Sequence, residues 1–262
     1  MEDELFEVLY PLIQQEAKHR PRAPRVQFSD AHILAVAGWA VLHDRPICWA
    51  CCRRHWHGTR LGMDLPSPAT MSVRLRTVSL HLLLEQVFYR VLSVVALAGF
   101  CLTRRLDSKP LPVGGFSKDR DARWGYATGG KYKGYKLFAC WGRSPTAPEA
   151  LRLGPMNCSD PAGAWQLIDQ LTRRYGGSGG YLLADATHDT NPLHAWAGAG
   201  GFQLVAPRKE PRGGLGHRPN PPQRLRSIEL LETPIPPASG FGPALYRQRG
   251  QIERDYGQMG SF

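Results

Sequence analysis

Asp107, Asp185 and Glu253 are the residues of this chain whose types and surroundings best fit a reaction centre. Asp107 ends the apolar run 100–107, Asp185 ends the run 181–185, and Glu253 ends the segment 246–253, which reads as a helix. Two strand-ending aspartates and one helical glutamate can converge at one edge of a sheet. Oxygen-only ligands of this kind suit hard cations such as Mg²⁺ or Mn²⁺. Two such ions about 3.5–4 Å apart would clamp the attacking and leaving oxygens of a phosphodiester. Other acids compete for these places. Asp189 follows Asp185 in a turn before Thr190-Asn191-Pro192, where aspartate commonly caps a helix, and Asp119 and Asp121 sit in a charged loop without a preceding apolar strand. Glu253 alone is also explained by pairing with Arg249 one turn earlier, and His188 reads as a solvent-facing turn residue or a phosphate contact.

The elements that must position these acids follow from the hydrophobic pattern. From about residue 98 the order is strand (100–107), strand (129–141), strand (150–156), helix from Asp160, strand (181–185), helix (192–199), strand (202–206) and a final helix. That is three mainly antiparallel strands followed by alternating helix and strand, the order of an α/β ribonuclease-H-like mixed sheet with flanking helices. Residues 207–240 read as irregular, with Arg208, Lys209, Arg212, Arg218, Arg224 and Arg226 among prolines and glycines. Such a run is either a solvated loop or a track for phosphates.

Residues 1–95 read as an all-helical region. Ser29 caps a helix from Asp30, a short helix crosses 47–56, Ser67-Pro68 opens another, and a long helix runs over 78–97. Arg74 and Arg76 are expected to point outward from the third of these. The region fits a helix-turn-helix-like DNA-binding part or an ordinary helical cap. Cys48, Cys51, His55 and His57 have zinc-like spacing, but no second CxxC follows, and the segment scans as a short amphipathic helix with Trp49 and Trp56.

The chain has 262 residues, 42% of them apolar, and a formal net charge of +11. This is a globular composition with room for a core, and its charge points to a polyanionic partner, usually nucleic acid. Lys131, Lys133 and Lys136 are candidate DNA contacts or the polar face of an edge strand, while Trp124, Tyr126 and Tyr132 could stack on unpaired bases or pack in a hairpin. The acidic N-terminus lacks the basic start of a signal peptide, and the longest apolar stretch, 91–102, is too short for a membrane span. The expected location is the cytoplasm, at the nucleoid, with no membrane contact and with the six cysteines reduced.

Four stretches, in order, resemble the DDE transposases of bacterial insertion sequences, the cut-and-paste group with ribonuclease-H-like catalytic domains. They are Leu106-Asp107-Ser108-Lys109-Pro110-Leu111-Pro112-Val113, Tyr132-Lys133-Gly134-Tyr135-Lys136-Leu137, Leu183-Ala184-Asp185-Ala186-Thr187-His188-Asp189, and the signature Tyr246-x2-Arg249-x3-Glu253. The resemblance implies Asp107, Asp185 and Glu253 as ligands of two Mg²⁺ or Mn²⁺ ions, with Tyr246 and Arg249 on phosphates near the cleaved end. It implies cleavage at the element's ends, strand transfer into target DNA, and a homodimer that bridges two ends. The signature's later lysine is replaced by Gly260 and the chain ends at Phe262. That departure leaves a truncated, inactive DNA-binding remnant, or a nuclease of the same fold, as alternatives.

Overall fold

In a computed structural model that describes residues 2–20, 26–56, 64–95, 101–127, 129–142, 148–175, 179–210, 214–215, 219–232 and 240–259, the chain divides into two units, Met1–Leu97 and Ala98–Ser261. The first unit is helical. Its helices are α1 (Glu2–Ala17), α2 (Asp30–Leu42), α3 (Ile47–Ala50), α4 (Pro68–Arg74) and α5 (Val78–Val95), with a short 3₁₀ turn at Arg53–His55 after α3. Ser29 and Ser67 cap α2 and α4, each accepting a backbone N–H three residues on. An aromatic centre fixes the packing. Phe6 meets Trp39 edge-on at 4.9 Å, Trp39 stacks on Trp56 at 4.8 Å, and the two indole N–H groups donate to the carbonyls of His55 and Ala50. Cys51 and Cys52 direct their thiols at helix carbonyls, His55 stacks on Trp49, and His57 lies outside the described residues.

Arg74 departs from expectation. It turns inward, with Nη2 at 2.6 Å from Asp30 and Nη1 donating to the Phe28 carbonyl at 2.7 Å. The last turn of α4 meets the start of α2, where Asp30 offers a half-buried carboxylate. Arg76 remains exposed.

The second unit is a mixed sheet with helices on both faces. Its strands are β1 (Thr103–Pro112), β2 (Arg123–Ala127), β3 (Gly130–Trp141), β4 (Ala150–Pro155), β5 (Tyr181–Leu183) and β6 (Gln203–Val205). The order is β2-β3-β1-β5-β6, with β4 pairing β3 beyond β2. Strands β1 to β4 are antiparallel neighbours, whereas β1, β5 and β6 are parallel. This is the ribonuclease-H-like arrangement that the strand order predicts. One face packs on α6 (Asp160–Tyr175) and α7 (Asn191–Ala199) through Leu106, Phe138, Leu182 and Leu204. The other packs on α8 (Pro222–Glu232), α9 (Phe241–Arg247) and α10 (Gln251–Met259) through Trp141, Leu183, Val205, Leu230, Ile252 and Tyr256.

Three local expectations are corrected. Strand β1 runs past Asp107 rather than ending there, because its ladder with β3 continues to Pro112. Strand β2 was not foreseen, since its exposed, glycine-containing sequence has no core-facing run. Within 207–240, helix α8 replaces irregular chain over Pro222–Glu232. A proline at the first helical position starts α8, and Ser227 and Leu230 bury it beside β6, so the prolines and arginines concealed an amphipathic stripe. Arg212 and Arg218 lie outside the described residues.

Candidate active site

Register explains why two of the predicted acids meet. Parallel pairing of β1 with β5 aligns Thr103 with Tyr181 and Arg105 with Leu183. Two residues further along each chain stand Asp107 and Asp185, so both carboxylates leave the same side of adjacent strands. Beyond Leu183 the chain turns into a 3₁₀ helix at Ala186–His188, which Asp185 caps by accepting the Thr187 N–H at 3.0 Å.

The two carboxylates share one guanidinium. Arg249 Nη2 lies 3.1 Å from Asp107 Oδ2 and 3.9 Å from Asp185 Oδ2. The remaining oxygens have their own donors: Ser108 N–H at 2.8 Å on Asp107 Oδ1, and His188 Nδ1 at 2.7 Å on Asp185 Oδ1. The backbone around each acid is fastened by a tyrosine from the C-terminal helices. Tyr256 donates to the Asp107 carbonyl at 2.7 Å, and Tyr246 donates to the Ala184 carbonyl at 3.1 Å. A buried ion pair, Arg105 with the wholly buried Asp255 at 3.0 Å, further joins α10 to β1.

The electrostatics separate the two acids. Burial pushes the Asp107 carboxyl above the ordinary range, with the Ser108 N–H and Arg249 pulling against it and the Asp185 charge adding to it. Burial also acts to raise Asp185, but hydrogen bonds from His188 and Thr187, with the charges of His188 and Arg249, hold it well below that range. Environments that push neighbouring carboxyls apart are the usual condition for giving them different roles.

Glu253 stands elsewhere. Helix α10 buries Ile252, Asp255 and Tyr256, and Glu253 lies on the adjoining exposed flank. The expected single helix through Tyr246, Arg249 and Glu253 is interrupted by a 3₁₀ turn at Gln248–Gly250, so the three residues occupy three successive segments. The tighter 3₁₀ winding changes the angular offset that a continuous α-helix would give. Among the described residues no group of three His, Cys, Asp or Glu side chains is gathered closely enough to hold a metal ion. The aspartate pair nevertheless has the chemistry of a cation site: oxygen donors from two strands, converging on one positive group.

The other candidates distribute differently. Asp189 is buried and structural rather than a cap, held by Arg224 at 2.7 Å, His194 at 3.1 Å and the Lys209 N–H at 3.2 Å. His188 is only 2% exposed, not solvent-facing. Lys133 donates to the Ser117 carbonyl, Lys136 to the Cys158 carbonyl and Asp160, and Arg208 pairs with Glu232. Asp119 accepts the Tyr135 hydroxyl, whereas Lys131 and the Lys209 side chain are exposed. Sequence reasoning missed Tyr256, Asp255 and Arg105, whose signal was only the 3–4 spacing of Ile252, Asp255 and Tyr256. No helix of the described residues is long and apolar enough to cross a membrane.

No curated protein and no solved structure matches this chain. Residues 103–262, which contain the whole sheet, both aspartates and the tyrosine–arginine–glutamate signature, match the family described as the transposase DDE domain, and the chain belongs to that family.

Proposed function

We propose that this protein is a metal-dependent transposase that cuts DNA strands at the ends of an insertion sequence and joins them to target DNA. The observation that carries this reading is the convergence of Asp107 and Asp185, from the neighbouring central strands β1 and β5, on one cationic group. In this reading Asp107 and Asp185 would hold a divalent ion, Mg²⁺ or Mn²⁺, and Glu253 would be the third carboxylate of a two-ion site. Bound divalent ions neutralise the charge that develops on the phosphodiester as water or a 3′-hydroxyl attacks.

The chain's own residues supply the rest. Arg249 is the counter-charge of the aspartate pair, and its planar fork would also suit a phosphate held beside it. Tyr246 and Tyr256 hold the backbone beside each acid and so fix the distance between the carboxylates. Arg76, Lys131 and Lys209 are the exposed cations among the proposed DNA contacts. Arg74, Lys133 and Arg208 reach DNA in this reading only by sharing or leaving their internal partners. The working form is a homodimer bridging two ends, acting at the nucleoid.

Purified protein, Mg²⁺ and a plasmid bearing the element's terminal repeats should give end cleavage and joined products, both abolished in Asp107→Ala. A second reading, a non-catalytic DNA-binding form, is favoured by one observation: Arg249 fills the aspartate pair while Glu253 is exposed. Binding without cleavage, unaltered in Asp107→Ala, would establish that reading. Cleavage without terminal repeats or joining would instead mark a nuclease.

A further inference from the structure

We propose that the sheet face bearing Asp107 continues, through the hairpin of β2 and β3, into a platform on which an unpaired DNA strand stacks. The inference rests on the proposed DNA chemistry and adds the strand form and the residues that receive it. Register places the surface. Asp107, Lys109 and Leu111 pair with Ala139, Leu137 and Tyr135, and β3 continues through Lys133 and Lys131, which pair with Trp124 and Tyr126. Directly paired residues of antiparallel strands share a face. One face therefore runs from the carboxylate site to the hairpin. From Ala139 to Lys131 along β3 it is about 26 Å long, and midway Tyr135 donates to Asp119 and Lys133 to the Ser117 carbonyl, so the connection before β2 crosses it there and its open part is the hairpin end.

Cover changes along this face. At Ala139 and Trp141 it lies beneath Ile252 and Tyr256 of α10. At the hairpin Trp124 is 51% exposed and Tyr126 is 77% exposed. Large rings at alternate positions of a strand normally mark a buried face, so leaving both in water needs another partner. They stand two residues apart on β2, about 6.6 Å, which is the gap that admits one flat base between two rings. Phe116, in the connection leading to β2, is also fully exposed.

Charge selects the partner. The stretch 118–133 carries Lys118, Arg120, Arg123, Lys131 and Lys133 against Asp119 and Asp121. Lys131 stands opposite Tyr126 on the same face with its side chain exposed, a placement that seats a phosphate beside stacked bases, whereas Lys133, opposite Trp124, is held by the Ser117 carbonyl. Duplex DNA offers phosphates but hides its base faces, so rings of this kind recognise an unpaired strand.

The test uses the full chain in metal-free buffer at fixed salt. A fluorescein-labelled oligothymidylate and a duplex of equal length are titrated, and anisotropy is read. Trp124→Ala and Tyr126→Ala should each weaken single-strand binding roughly five-fold or more, with duplex binding held within about two-fold. Trp124→Phe, which keeps a stacking ring, should retain most of the affinity. Equal losses on both DNA forms, or no loss on either, would overturn the platform. Unchanged melting temperatures show that the variants fold, and should Trp124→Ala not fold, Tyr126→Ala and Trp124→Phe decide alone. Mg²⁺-dependent cleavage is scored separately: selective single-strand binding in a chain that never cleaves would sink the transposase reading while leaving the platform standing.

Discussion

Arg249 has a divided role at the residue scale. Its guanidinium lies between two carboxylates that a metal ion would draw together, and all three side chains are mostly buried, at 23%, 22% and 35% exposure. Removing it leaves two like charges facing each other with little water. Arg249→Ala should therefore lower stability in metal-free buffer by about 1–3 kcal/mol, below the fully buried limit because the site is partly open. Added Mg²⁺ should restore much of that loss, since a ligand binding only the folded state stabilises it by mass action. Melting curves with and without Mg²⁺ check this: the metal-induced rise should be larger in Arg249→Ala than in the parent. An equal rise would mean that Arg249 does not stand where the metal binds. Tyr256 makes a second prediction at this scale. Tyr256→Phe removes one hydrogen bond to the Asp107 carbonyl, so it should cost about 0.5–1.5 kcal/mol. Cleavage should fall more than DNA affinity does, read by separate cleavage and binding assays.

Elements explain what could be read from sequence and what could not. The strands around Asp107 and Asp185 were legible because each has an apolar run, and the order of strands and helices follows from those runs. The partners of the acids were not legible. Nothing local to His188 says that it is buried, and nothing local to Arg249 says that it turns toward Asp107, 142 residues away. Strand β2 and helix α8 were missed for the same reason: tertiary pairing, not local propensity, holds them. Helix α8 shows this best. Arg224 reaches the buried Asp189, which also binds His194 and the Lys209 N–H, so one carboxylate ties α7, α8 and the chain after β6 together. Burial would raise this carboxyl, but the hydrogen bonds from Arg224 and His194 hold it well below its ordinary value of 3.8. The folded state thus binds this proton less readily than the unfolded state. The stabilisation is complete above about pH 4 and is lost as pH falls further. Asp30, bound by Ser79 and Arg74 against the opposing effect of burial, acts in the same sense in the helical unit. Asp189→Ala should cost about 3–5 kcal/mol at neutral pH, because Arg224 is left half-buried and unpaired, and should flatten the acid limb of the stability curve. Denaturant melts between pH 3 and 7 would show both effects, and a parallel downward shift at all pH values would refute the linkage.

Over the whole molecule, the net charge of +11 overstates what DNA can use. Arg74, Arg104, Arg105, Arg208 and Arg224 all spend their charge on internal carboxylates. Phosphate binding releases counterions, and each contact contributes about −0.9 to the slope of log affinity against log salt for duplex DNA. Internally paired arginines release none, so the slope counts free cations rather than composition. Arg74 and Arg76 make the sharpest comparison, because they are two residues apart and sequence treats them alike. Arg76 is exposed, whereas Arg74 is bound to Asp30 and the Phe28 carbonyl. Arg76→Gln should reduce the slope by about one unit and leave the melting temperature unchanged. Arg74→Gln should leave the slope unchanged and lower the melting temperature, since it strands Asp30 and frees the carbonyl. Binding titrations between about 50 and 200 mM salt, paired with melts of the same variants, separate the two. If both variants changed the slope equally, Arg74 would have to leave Asp30 on meeting DNA, and the helical unit would bind by rearranging its own ion pairs.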